Sequence, residues 1–403
     1  MARIDINYIQ KFINRQNFDI RVSRNGRFTD QKCIPDVLCA VAESVLAYID
    51  GDNTKVFTKN DIWHSDYSNA LITESFSKPN VETDSATSEY DKFFAQPLKL
   101  FASANILIET KQGGVNFYTI KEQEILEFIA QREKNALDFL YVYLNKVMTD
   151  TGCMYLFDEF FTLQEKDSFN RLCEGLDYLY HTYTPVTGQY EPSRIYNKII
   201  NIFAFKKRKL GSVRGRISKY PITIDELRYN RINWRDVDKS KGMSRQEFAE
   251  QNENTISNNK GYYERAVTKA KEFVHSIEKY SEVHPYPAYV ATEAHHIFMK
   301  SEFPLIADCA ENIIALTGTE HYSYAHPNRN TQRTDPNYQM VCLLSKLDSI
   351  ERNFQNGGND YSLADFVMVL NIGLKTDQFN EQMGFVGIKA NLLQYLRPNK
   401  SSF

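Results

Sequence analysis

The chain is 403 residues long with a net charge of −3, so it holds two or three domains and does not coat nucleic acid through global positive charge. Its 42% hydrophobic and 13% aromatic content can fill a core in each domain. No run of about 18 apolar residues is present to span a membrane, and Met1-Ala2-Arg3-Ile4-Asp5-Ile6 lacks the basic-then-apolar pattern of a signal peptide.

In chain order, residues 1–150 read as a first module. Apolar positions 34, 37, 38, 41, 45 and 48 form a helical stripe, and the acidic, Ser/Thr-rich stretch 82–90 reads as a loop. Ile106-Leu107-Ile108-Glu109-Thr110 and Val115-Asn116-Phe117-Tyr118 flank Lys111-Gln112-Gly113-Gly114, which predicts a hairpin with a glycine turn. A long helical pattern follows from Lys121 to Met148. Helices followed by a hairpin suggest a winged-helix-like module; an unrelated α+β scaffold fits as well.

Residues 151–255 read as a helical and basic segment. The stretch 153–200 is aromatic and helical, and 201–245 holds thirteen Lys/Arg against four acids, a net +9. The centre of this segment is Lys206, Lys207, Arg208, Lys209, Arg214 and Arg216, interrupted by two glycines. A charge run is more often a solvated face than a binding site. Here it is segregated inside an acidic chain, which points to DNA phosphates, with Arg214 or Arg216 able to read a guanine. Lys239 to Asn259 is polar and reads as a linker. The six cysteines, at 33, 39, 153, 173, 309 and 342, show no zinc or redox spacing and read as buried thiols of a cytoplasmic protein.

Residues 256–350 carry the chemistry. An amphipathic helix begins near Tyr262, Tyr289-Val290-Ala291-Thr292 is extended, Ile313-Ile314-Ala315-Leu316 is a second apolar run, and Thr319-Glu320-His321 looks like a helix start. Four of the eight histidines fall between His295 and His326. A lone histidine is usually packed or solvated, but a doublet, Asn312 sixteen residues on and His321 nine beyond that form a pattern. Two helices, Tyr338–Phe354 and Ser362–Leu374, are predicted beyond it around Gly357-Gly358, with 351–403 as a helical extension.

The pattern over residues 286–330 resembles the HNH (ββα-metal) nucleases. The runs His295 to Pro304 and Ala325-His326-Pro327-Asn328 are similar to the HNH domains of bacterial restriction endonucleases. The resemblance implies His295 and His321 as metal ligands, His296 as general base and Asn312 as the residue that orients it. Relatives often carry a further ligand four residues after the His321 position. Here that residue is Ala325, and His326, five on, is the candidate, with Lys300 as a DNA contact. Paired Cys-x-x-Cys zinc knuckles are missing, so packing must support the module.

The fold class expected is therefore α+β and multidomain, with an N-terminal winged-helix-like, DNA-recognising region and a C-terminal ββα-metal nuclease domain. The function implied is that of a Type II restriction endonuclease. It would cut double-stranded DNA at a specific sequence with Mg²⁺, Mn²⁺ substituting, and leave 5′-phosphate and 3′-hydroxyl ends. Such an enzyme implies a cognate DNA methyltransferase in the same cell, and a homodimer where the site is palindromic. Separate reading and cutting regions favour cleavage outside the site. The rivals are an HNH nuclease acting on modified or foreign DNA, and a winged-helix DNA-binding protein with structural histidines. Asn312→Asp is expected to keep some activity, since a carboxylate still accepts a hydrogen bond.

Overall fold

Two short helices, α1 (Ile6–Asn14) and α2 (Ile20–Ser23), lead into α3 (Pro35–Ile49). Pro35 fixes the backbone in the first turn of α3. Val37, Leu38, Val41, Val45 and Ile49 are buried along with Cys39, Ala40 and Ala42, so neighbours surround this helix on all sides. In the computed structural model, residues 4–76, 81, 86–186, 188–229, 260–326 and 334–395 are described, and they form two units, Met1–Tyr262 and Tyr263–Phe403. Among the described residues no helix is long and apolar enough to cross a membrane.

In the first unit α4 (Lys59–Trp63), α5 (Asp66–Phe76) and α6 (Ala86–Ser103) follow α3. Residues 86–90 of the expected loop are thus the start of a helix, and 82–85 lie outside the described residues. The predicted hairpin forms as β1 (Leu107–Gln112) and β2 (Val115–Ile120), with Gln112 opposite Val115 across the Gly113-Gly114 turn. Phe57 adds a third strand position by exchanging both backbone hydrogen bonds with Tyr118, at 2.9 and 2.7 Å.

The single helix expected over 121–148 is two, α7 (Gln123–Gln131) and α8 (Glu133–Asp150), broken at an extended Arg132. Asn135 explains the break. Its amide donates to the Phe128 carbonyl, which the end of α7 leaves free, and its oxygen accepts from Arg132 Nε. Beyond come α9 (Met154–Leu163), α10 (Lys166–Tyr183), α11 (Glu191–Lys207) and a second hairpin, β3 (Leu210–Val213) with β4 (Arg216–Pro221). One hydrophobic core runs from Ile9 to Leu227. The boundary expected at 150/151 is therefore not found, because α8 packs on α1 and α3 as well as on α9 and α11. The linker read at 239–259 lies outside the described residues.

The second unit contains α12 (Lys260–Ile277), β5 (Glu293–His296), β6 (Ile313–Leu316), α13 (Pro336–Gln355), α14 (Leu363–Gly373) and α15 (Gly384–Tyr395). β5 starts later than the extended run expected at 289–292, at the residue where pairing to Leu316 begins. The two predicted helices beyond the motif form close to their expected bounds. They are not a separate extension: Phe366, Val369, Leu370, Ile388 and Leu392 share one core with Ile313–Leu316. Gly373 lies so close to the Phe298 ring that a Cβ there would fall 2.2 Å from it, which seats α14 against the chain leaving β5.

A buried polar tie holds β6 in place. The Glu282 backbone N–H donates to Ala315 O, and its carboxylate accepts from Ala315 N at 2.8 Å. The same oxygen accepts from Lys346 of α13 at 3.2 Å, in an ion pair with no solvent exposure on either side. Lys346 Nζ also lies 4.0 Å from the Tyr361 ring centre. None of the six cysteines is in a disulfide among the described residues; four are buried, and Cys173 and Cys309 are half-buried.

Candidate metal centre

β5 and β6 pair antiparallel with His295 opposite Ile314 and His296 opposite Ile313. Successive strand residues point to opposite faces, so the doublet serves two environments. His295 meets His321 and His326, and the ligating nitrogens of all three lie within 4.8 Å of one another. His321 lies in a π-helical turn, Glu320–Ala325, and His326 directly follows it. In an α-helix, residues five apart diverge around the axis. A π turn closes one residue later, so His321 and His326 converge, their rings 4.8 Å apart. That geometry brings a side chain five residues on, rather than four, to the cluster.

The three imidazoles fit a cation. His295 Nε2 and His321 Nδ1 are buried and have no hydrogen-bond partner among the described residues, an arrangement costly unless something electrophilic takes their lone pairs. Burial, reinforced by His326 and His321, pushes the His295 pKa down to about 2. Burial and His326 also lower that of His321, against the pull of Glu293. Neutral rings are the form that ligates. Three nitrogen donors suit Zn²⁺ or another transition metal, whereas Mg²⁺ seeks oxygen.

On the other face, His296 Nε2 lies 2.9 Å from Ala307 O. A carbonyl only accepts, so Nε2 carries the proton and Nδ1 the lone pair. Burial pulls the His296 pKa down to about 4, opposed by the Ala307 hydrogen bond and helped by Lys271 and Lys300. Asn312 does not touch this ring. Its side chain accepts from Phe298 N at 2.9 Å and donates to Phe298 O and Ile306 O at 3.0 and 3.1 Å. Direct orientation of His296 by Asn312 is therefore corrected: Asn312 staples the β5–β6 connection, and Ala307, next to Ile306, holds the imidazole.

This geometry reverses the outlook for Asn312→Asp. Two carbonyls would lose their donor and a carboxylate would be buried where Asn312 has no solvent exposure. We expect Asn312→Asp to destabilise the second unit by several kcal/mol. The loss should be larger at pH 8 than at pH 5, where protonation removes the buried charge. Melting curves at the two pH values check this; equal melting at pH 8 to the parent protein would contradict it.

Two further residues near the centre stand outside the histidine pattern. Glu293 lies 4.0 Å from His321 Nδ1 and accepts a long hydrogen bond from Tyr322 OH. Strand alternation, which puts 293 and 295 on one face, is the signal that could have found it. Lys271 of α12 is half-buried, and its charge acts on His295, His296 and His321. Lys300 is exposed beside the site and repels Lys271.

The other cations singled out by sequence lie in the first unit. Lys206 is paired with Asp138, Lys207 sits 5.8 Å from the Phe161 ring centre, and Arg208 closes α11 in a left-handed conformation. Lys209, Arg214 and Arg216 are exposed on the second hairpin. In comparisons with known proteins, no family model, no curated protein and no solved structure matches this chain.

Proposed function

We propose that the protein is a metal-dependent endonuclease of double-stranded DNA, with the second unit as the cutting module. The observation that carries this reading is the split doublet: His295 joins a three-nitrogen cation site, while adjacent His296 presents an unprotonated Nδ1 on a ring fixed by Ala307. A divalent ion held by His295, His321 and His326 would neutralise charge building on the phosphate and the leaving oxygen. His296 Nδ1 accepts a proton from the attacking water as its oxygen bonds to phosphorus and the P–O3′ bond breaks. Lys271 and Lys300 supply positive charge beside the phosphate. Asn312 keeps the connection that carries Ala307 in register.

The finer reading is a Type II restriction endonuclease whose first unit recognises the sequence. The order of elements over residues 35–120 is compatible with a winged-helix-like reader carrying one extra helix: helix, a single strand position at Phe57, three helices, and a hairpin that pairs back to Phe57. A cognate methyltransferase and a homodimer belong to that reading.

Metal titration tests the centre. The protein should bind one Co²⁺ or Zn²⁺ per chain and Mg²⁺ far more weakly. His295→Ala and His321→Ala should lose affinity by more than about 100-fold, since even outer partners of a metal ligand cost 10–100-fold. Calorimetry and the visible spectrum of the Co²⁺ form read this out. Incubation of plasmid with each metal, against an EDTA control, reads the reaction: discrete fragments mark a restriction enzyme, a smear marks a non-specific nuclease, and intact DNA removes the endonuclease reading.

A further inference from the structure

The first unit contains two hairpins that differ at one position of the turn. Each closes with two left-handed residues: Gly113 and Gly114, at φ +56° and +85°, and Arg214 and Gly215, at φ +55° and +74°. Glycine accepts that conformation freely, and Asn or Asp tolerates it. Arginine at the first position carries a steric cost that the neighbouring hairpin avoids. A side chain kept at a strained position points to a use for that side chain.

The base of the second hairpin is fixed and its tip is bare. Asn201 of α11 brackets Ser212, accepting from its N–H at 2.7 Å and donating to its carbonyl at 2.9 Å. Ser212 Oγ donates to Asn197, and Gln164 accepts from Leu210 N. Gly211 presses on α11 so closely that a Cβ would lie 2.6 Å from Asn201 and Ile222. Val213, Arg214, Gly215 and Arg216 are all exposed. Neither arginine has a hydrogen-bond or ion-pair partner among the described residues. Lys209, Lys219 and Tyr220 are exposed along the ribbon, and neither strand contains an acid.

We infer that this hairpin enters the major groove of duplex DNA, with Arg214 and Arg216 on base edges at its tip. The inference rests on the endonuclease reading and names the element that would contact the bases. A two-stranded ribbon fits the major groove, about 12 Å wide, and not the minor groove, about 6 Å wide. Arginine forks onto O6 and N7 of guanine there. A ribbon held at its base loses little conformational freedom on binding.

The test uses the full chain without metal, bound to the duplex that the wild type cuts, with affinity read by fluorescence anisotropy. Arg214→Asn restores a favourable Asn-Gly turn, so its melting temperature should equal or exceed that of the wild type. Its affinity should nevertheless fall roughly ten- to hundred-fold, as should that of Arg216→Gln. Replacing the site's guanines with 7-deazaguanine, which lacks N7, should weaken the wild type and shrink its advantage over Arg214→Asn. If both variants bind and cut as the wild type does, the hairpin inference falls and the endonuclease reading stands. Sensitivity to inosine, which lacks the minor-groove amine, in place of 7-deazaguanine also overturns it. If the wild type cuts no duplex with any divalent metal, the endonuclease reading fails and takes this inference with it.

Discussion

On the proposed endonuclease reading, His296→Ala should slow DNA cleavage by about 10²–10⁴-fold, the usual contribution of a positioned general base. The same variant should bind Co²⁺ as the wild type does, because His296 faces Ala307 and not the three-histidine cluster. Raising the metal concentration should not restore its rate. This behaviour separates His296 from His295 and His321, whose alanine variants should regain part of their activity as metal is added. Initial rates of plasmid nicking across a metal titration decide the matter. Wild-type turnover by His296→Ala would remove this residue from the chemistry.

Lys346→Ala should destabilise the second unit by about 3–5 kcal/mol, the cost of leaving a buried charge without its partner. The Glu282 side chain is wholly buried and one of its oxygens already lacks a partner among the described residues. Glu278 lies nearby, its pKa raised to about 7 by burial and by Glu282. That raised value means the folded form holds a proton that the unfolded form releases, so this stabilisation is complete below about pH 4.5 and is lost as pH rises through about 7. Without Lys346 only Arg352 and the Tyr361 hydroxyl oppose the repulsion between Glu278 and Glu282, and protonation of Glu278 relieves it, so the deficit should shrink at pH 5 and be full at pH 8. Exchange of the Ala315 amide, which donates to Glu282, reads it directly. Unchanged protection at pH 8 would contradict the account. A paired Glu282→Gln, Lys346→Met variant should recover much of the loss.

The helices and hairpins with strong apolar periodicity are legible in the sequence: α3, the β1–β2 hairpin, β6, α13 and α14 lie close to where the pattern puts them. The break at Arg132 is not, because it depends on Asn135 reaching back to a carbonyl of the previous helix, and a helical stripe can continue through such a break. The division into modules misleads for a related reason. The local pattern suggests boundaries at 150 and again near 351, but burial follows three-dimensional neighbours, and both stretches share a core with what precedes them. At the candidate site, the residue types and the two faces of the doublet are legible from strand alternation. The work of Asn312 is not, since its partners are backbone atoms of Phe298 and Ile306, which any sequence supplies. Glu282 and Lys346 give no signal either, as charged residues on helical and loop segments ordinarily read as solvated.

One extra residue within an α-helix ordinarily swings everything beyond it by about 100° around the axis. In Glu320–Ala325 the wider winding absorbs such a residue inside a single turn, and the side chain at the far end regains its bearing. The distance in sequence between His321 and His326 is therefore not a fixed ruler for this centre. Loss of one residue from Tyr322–Tyr324 would tighten the winding to the ordinary pitch and still leave both rings on the same side. The three-histidine cluster would thus be buffered against a change in length that would scatter side chains displayed on a regular helix.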